Sequence, residues 1–173
     1  MLRPTENEFR ERKLLDGLWR FSVDTEGLGH EEKWWESDLA AARQIPVPAS
    51  YNELFEDAAI RDHVGDVWYQ KDVHLPQGWS GRRILLRFDS VTHRGTVWVN
   101  ETRVASHQGG YTPFEMDLIE LVAGETVFRL TVCVNNELGW KTIPPGYIET
   151  APDGTRKQKY FHDFFNYAGI QRN

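Results

Sequence analysis

The stretch Val127-Phe128-Arg129-Leu130-Thr131-Val132-Cys133-Val134-Asn135 decides the class of fold. Phe128, Leu130, Val132 and Val134 alternate with Arg129, Thr131 and Cys133, so an extended backbone sends the two sets to opposite faces. One face is apolar and the other mixed, the pattern of a half-buried strand in an antiparallel sheet. The turn signal Ala123-Gly124-Glu125 stands just before it.

Working outward, similar signals recur. Gly95-Thr96-Val97-Trp98-Val99 and Thr102-Arg103-Val104 flank Asn100-Glu101, a hairpin turn pair. Arg83 to Phe88 reads as a strand, as does Val67 to Leu75, which Pro76-Gln77-Gly78 closes. Asp16-Gly17 turns the chain into the alternating Leu18-Trp19-Arg20-Phe21-Ser22-Val23, after a charged arm. Pro46 and Pro48 hold Val47 extended. Only Trp34 to Arg43 groups apolar residues three to four apart without Gly or Pro, which predicts a short helix. Beyond residue 136, Trp140 to Tyr147 and Ala151 to Thr155 read as long loops. The whole predicts an all-β, antiparallel β-sandwich with one short helix and long C-terminal loops.

The length of 173 residues suits one domain, and it is enough for a real core. Lys and Arg total 20 against 26 Asp and Glu, a net charge of −6, which disfavours an electrostatic grip on nucleic acid. No apolar run reaches the ~18 residues of a membrane span. A polar N-terminus and the single cysteine suit a reducing cytoplasm. Aromatic residues make up 13%, rich enough to supply a stout core, carbohydrate-stacking platforms or both.

Most candidate chemistries fail on spacing. The six histidines (His30, His63, His74, His93, His107 and His162) include no i,i+4 pair on a helix, and there is no Cys-x-x-Cys, so no metal site is predicted. Gly109-Gly110 lacks the pattern of a phosphate cradle and reads as a turn or a close backbone approach. Cys133 sits mid-strand as a small buried residue, not a nucleophile. No pair of carboxylates is marked as a glycosidase dyad. What stands out is Tyr160-Phe161-His162-Asp163-Phe164-Phe165-Asn166-Tyr167, aromatic enough to need cover. Among these rings the Asp163 carboxylate is expected to be partly desolvated and to need a partner. On its residues alone it reads first as structural, with His162 hydrogen-bonding within the loop.

A resemblance changes that weighting. Leu15-Asp16-Gly17-Leu18-Trp19, Val67-Trp68-Tyr69-Gln70, Leu86 to His93, Val97-Trp98-Val99-Asn100, His107 to Phe114, Val132 to Leu138 and Tyr160 to Ile170 together resemble the N-terminal domain of β-glucuronidases in glycoside hydrolase family two. The resemblance implies a galactose-binding-like jelly roll, the sugar-binding domain, spanning 1–173. An immunoglobulin-like domain and a catalytic (β/α)₈ barrel follow it in the family. It implies retaining hydrolysis of β-D-glucuronides by two barrel glutamates, so this chain by itself should hold no catalytic residue, need no cofactor and show no turnover. Asp163 matches the family aspartate that accepts hydrogen bonds from sugar hydroxyls, and His162 is a weaker second contact. The bacterial relatives imply a cytoplasmic homotetramer. Gln171 stands where many relatives have histidine, and the family chain continues past Asn173 as a further strand of the same sandwich. The rival readings are a free-standing carbohydrate-binding module and a purely structural or assembly sandwich.

Overall fold

The computed structural model describes residues 3–163 and 165–172; Met1, Leu2, Phe164 and Asn173 lie outside the described residues. In chain order the strands are β1 (Gly17–Val23), β2 (Arg43–Val47), β3 (Asp66–His74), β4 (Leu85–Phe88), β5 (Ser90–Thr92), β6 (Arg94–Val99), β7 (Thr102–Gln108), β8 (Phe114–Asp117), β9 (Val127–Asn135), β10 (Gly146–Thr150), β11 (Arg156–Tyr160) and β12 (Gly169–Arg172). Every pairing is antiparallel.

The alternating stretch that decided the fold is β9, and it lies inside a six-stranded sheet of order β2-β1-β3-β9-β6-β7. Its apolar set meets apolar partners across both ladders: Val134 faces Val67, and Val132 faces both Tyr69 and Val97. Together with Trp19, Phe21, Leu130 and Val99 they make one wall of the core. The opposite wall comes from two strand pairs, β4-β8 and β5-β12, through Leu86, Phe88, Phe114, Met116, Val91 and Ile170. The large sheet and the two strand pairs bury their facing sides, the antiparallel sandwich that the alternation predicts and the jelly roll that the resemblance implies. Asn100, with φ of 51°, makes the β6–β7 turn, a conformation that asparagine adopts more readily than most residues.

Trp34 to Arg43 is not a helix. Lys33 and Ala41 bracket it at φ of 54° and 50°, and the segment between is a series of turns until β2 begins at Arg43. Its apolar spacing serves a different purpose. Trp34 and Trp35 lie over the outer face of the large sheet, on Trp68, Trp98, Leu39 and Cys133. Trp35 stacks on Trp98 at 4.8 Å between ring centroids, and Trp98 on Trp68 at 5.4 Å. The mixed face of β9 is thereby covered. Gly29 permits the close approach, because a Cβ there would stand 2.5 Å from Trp68 Nε1 and 2.7 Å from Asp24 Oδ2.

The helical turns lie elsewhere: α1 (Tyr51–Leu54), α2 (Ala58–Arg61) and a 3₁₀ turn at Gln77–Trp79. The Asp57 side chain caps α2 by accepting from Ala59 N at 3.0 Å. Part of the expected long C-terminal loops is also a hairpin. β10 pairs with β11 from Gly146↔Tyr160 to Thr150↔Arg156, although Arg156-Lys157-Gln158-Lys159-Tyr160 carries no apolar alternation. Arg156 ties its base to the sandwich by donating to Val64 O at 3.2 Å and to Glu137 Oε1 at 2.6 Å.

Candidate functional site

The segment between β11 and β12 carries His162 and Asp163, and its position is set from its C-terminal side. Ala168 and Ile170 are buried in the core. The backbone there is tied to residues 49–52: Ala49 N donates to Ile170 O at 2.9 Å, Tyr51 N to Ala168 O at 3.3 Å, and Ala168 N to Asn52 Oδ1 at 3.0 Å. Gly169, at φ of 119°, passes so close to Tyr69 that a Cβ would stand 2.6 Å from its hydroxyl. Gln171, half-buried, donates to Thr92 Oγ1 at 2.8 Å and so joins β12 to β5.

Asn166 is the polar peg of this segment. It is buried, and its Nδ2 donates to Asn136 O at 3.1 Å and to Gln158 Oε1 at 2.7 Å. Those two acceptors orient the amide, leaving Oδ1 as an acceptor 2.6 Å from His93 Nε2. His93 therefore carries its proton on Nε2 in the neutral form. Its Nδ1 has no hydrogen-bond partner among the described residues. Burial pushes the imidazole below the usual histidine value, with Arg94 acting in the same direction and the Asn166 hydrogen bond opposing. Asn136 extends the network: Nδ2 donates to Tyr51 OH at 2.5 Å and to His63 O at 2.7 Å, and Oδ1 accepts from Gly65 N at 2.9 Å. Burial pushes the Tyr51 phenol up, so it stays neutral. A chain of neutral groups thus joins α1, the end of β9, the turn after β5 and the 161–168 segment.

Gly109-Gly110 packs against the same turn. Gly109 N donates to His93 O at 3.0 Å, and Ser90 Oγ donates to Gly110 O at 2.5 Å. A Cβ at Gly110 would stand 3.0 Å from Thr92 Cγ2 and 3.2 Å from His93 Nδ1, so this pair is a close backbone approach.

Asp163 and His162 are both exposed, which corrects the expected desolvation of the carboxylate. The physical reason is that the aromatic neighbours stack on one another. Phe161 stacks on Trp140 at 4.4 Å and leans on Tyr147 at 5.6 Å, while Phe165 packs on Tyr167 at 4.9 Å. Phe164, another of the rings expected around Asp163, lies outside the described residues. These rings are themselves open to solvent, Trp140 82% and Phe165 50% exposed, and with Ile143 at 67% they form a surface available for contact. An exposed carboxylate is acceptor-only and can take hydrogen bonds from adjacent hydroxyls, while exposed rings offer platforms for a pyranose face. Cys133 is buried, and burial pushes its thiol well up, so it is no nucleophile.

Asn136 and Asn166 carry no sequence signal as a pair, because their partners lie far along the chain. The one clue was a small amide inside an aromatic run.

Residues 12–173 match the glycosyl hydrolases family 2, sugar binding domain. The chain belongs to this family. The β-glucuronidase of Paenibacillus borealis is 49% identical across 99% of this chain and 30% of its own length, and that of Rattus norvegicus is 40% identical across 100% and 29%. Among solved structures, Lactobacillus rhamnosus β-glucuronidase superposes with a TM-score of 0.91 at 38% identity, covering 97% of this chain and 28% of that one. Ruminococcus gnavus β-glucuronidase in complex with uronic isofagomine gives 0.90 at 41% identity, covering 98% and 28%. The chain thus spans about 30% of the length of the curated relatives it matches. The entire network from Tyr51 to Gln171 lies within the family match.

Proposed function

We propose that this chain is the sugar-binding part of a retaining β-glucuronidase, and that Asp163 is the carboxylate by which it holds the hydroxyls of a β-D-glucuronide. The observation that carries the reading is an exposed carboxylate on a segment anchored by the buried Asn166, in a chain similar over its whole length to β-glucuronidases. A carboxylate accepting from neighbouring hydroxyls fixes the orientation of the pyranose, which is what the reaction needs from a group outside the bond-breaking centre. His162, also exposed, is the second contact. In retaining hydrolysis one glutamate protonates the leaving oxygen and another attacks the anomeric carbon. Neither role falls to a residue of this chain. Trp140, Tyr147 and Phe161 form the face that buttresses the catalytic barrel of the enzyme. The enzyme is a cytoplasmic homotetramer and needs no cofactor.

The test is Asp163→Ala in the full-length enzyme bearing these residues. Loss of a charged hydrogen bond of about 1.5–3 kcal/mol lowers kcat/KM roughly 10- to 150-fold with thermal stability unchanged. A fall in stability with kcat/KM intact would make Asp163 structural. The exposed Trp140–Phe161 stack favours a second reading, a free-standing carbohydrate-binding module. Titration of the chain with glucuronic acid separates the two: binding tighter than about 1 mM, some 4 kcal/mol, favours the module.

A further inference from the structure

We propose that His30, Asp66 and Cys133 form a binding site for a divalent ion of the zinc class, on the outer face of the six-stranded sheet. It is distinct from the segment that carries Asp163. His30 Nε2 lies 3.5 Å from Asp66 Oδ2 and 3.7 Å from Cys133 Sγ, and the three donor atoms lie within 4.8 Å of one another. A tetrahedral zinc ion about 2.0 Å from nitrogen and oxygen and about 2.3 Å from sulfur sets N···O near 3.3 Å and N···S near 3.5 Å. The two separations seen here exceed these by tenths of an ångström, and nitrogen, oxygen and sulfur donors together suit zinc better than magnesium or calcium.

The site is built on rigid parts. Asp66 and Cys133 belong to β3 and β9, which pair along their whole length. Asp66 Oδ1 accepts from Asn135 Nδ2 at 2.7 Å, which turns Oδ2 towards His30 and supplies the outer-shell support typical of ligating carboxylates. The His30 ring is held among Trp68, Trp98 and Trp35, at 5.0, 5.8 and 6.2 Å between centroids. Buried Asp24, its oxygens fixed by Leu28 N and Gly29 N, accepts from Trp68 Nε1 at 3.2 Å, on the ring that packs against His30. Cys133 is buried but the His30 side chain is half exposed, so an ion enters past the imidazole and keeps a solvent-facing fourth position for water. As the metal–sulfur bond forms, the S–H bond breaks and its proton passes to buffer. No spacing rule finds this set, because the three ligands meet only through the sheet and the tryptophan loop.

The test is titration of the reduced, metal-free chain with Co²⁺, followed by Zn²⁺. One Co²⁺ binds per chain, with the visible bands of tetrahedral cobalt and a near-ultraviolet thiolate charge-transfer band, and Zn²⁺ removes both. His30→Ala and Cys133→Ala each weaken binding at least about tenfold, and the cysteine variant loses the charge-transfer band. His30 is half exposed, so its variant keeps the test informative even where Cys133→Ala fails to fold. Absence of the charge-transfer band in the unaltered chain, or unchanged affinity in His30→Ala, overturns the proposal and leaves a buried thiol beside a histidine.

Discussion

Replacing Asn166 with alanine cuts the peg that positions the 161–168 segment, and its cost can be worked from the contacts. The side chain is 4% exposed and makes hydrogen bonds to His93, to the Asn136 carbonyl and to Gln158. Each is worth about 1 kcal/mol net, and stranding a buried donor costs about 1–3 kcal/mol more. The donor at issue is His93 Nε2–H, on a ring whose Nδ1 already lacks a partner among the described residues. The expected loss is about 4–6 kcal/mol, a large part of a typical stability. With a urea slope of about 2 kcal/mol/M, the unfolding midpoint falls by roughly 2–3 M. Tryptophan fluorescence follows the transition, and limited proteolysis reports whether cleavage rises between residues 160 and 167. Asn166→Asp keeps an acceptor for His93 but loses both Nδ2 donations, so it retains only part of the stability. An Asn166→Ala midpoint within about 0.3 M of the parent, at unchanged slope, would refute the peg.

Acid should weaken the fold through histidine. Burial holds both His93 and His63 below the usual histidine value. A lowered folded-state value means that the native state binds fewer protons than the unfolded chain, so this contribution is complete above the unfolded value of about 6.5 and is lost as pH falls through the lowered values. Urea midpoints measured from pH 7.5 down to 5 should decline, and His93→Gln should reduce the slope; an unchanged slope in that variant would count against His93. Trp98→Ala removes the middle ring of the outer stack, between Trp35 and Trp68, at a cost of about 3–5 kcal/mol or roughly 6–20 °C in Tm. Near-ultraviolet circular dichroism should lose the coupled tryptophan signal, and a drop under about 1 kcal/mol would mean that the loop cover contributes little.

Period-2 alternation is a local property, and where it is strong it identified the sheet: β9, β3 and the β6–β7 hairpin lie where their residues predict. The same signal was silent for β11, whose Arg156-Lys157-Gln158-Lys159-Tyr160 earns its place through pairing with β10 and the reach of Arg156 to Glu137. It misled at Trp34 to Arg43, because apolar residues spaced three to four apart also suit a loop folded over a flat tryptophan surface. The aromatic run around Asp163 predicted a shielded carboxylate, but rings that stack sideways on Trp140 and Tyr147 leave it in water.

Alternation and motif are written along the chain, so a β-sandwich of this family and the candidate Asp163 were legible from residue order. The lock of Asn166 and His93 on the segment bearing Asp163, and the convergence of His30, Asp66 and Cys133, arise only once the chain is folded. Hydrogen bonds and coordination depend on distances of about 3 Å in space, and sequence separation does not encode these.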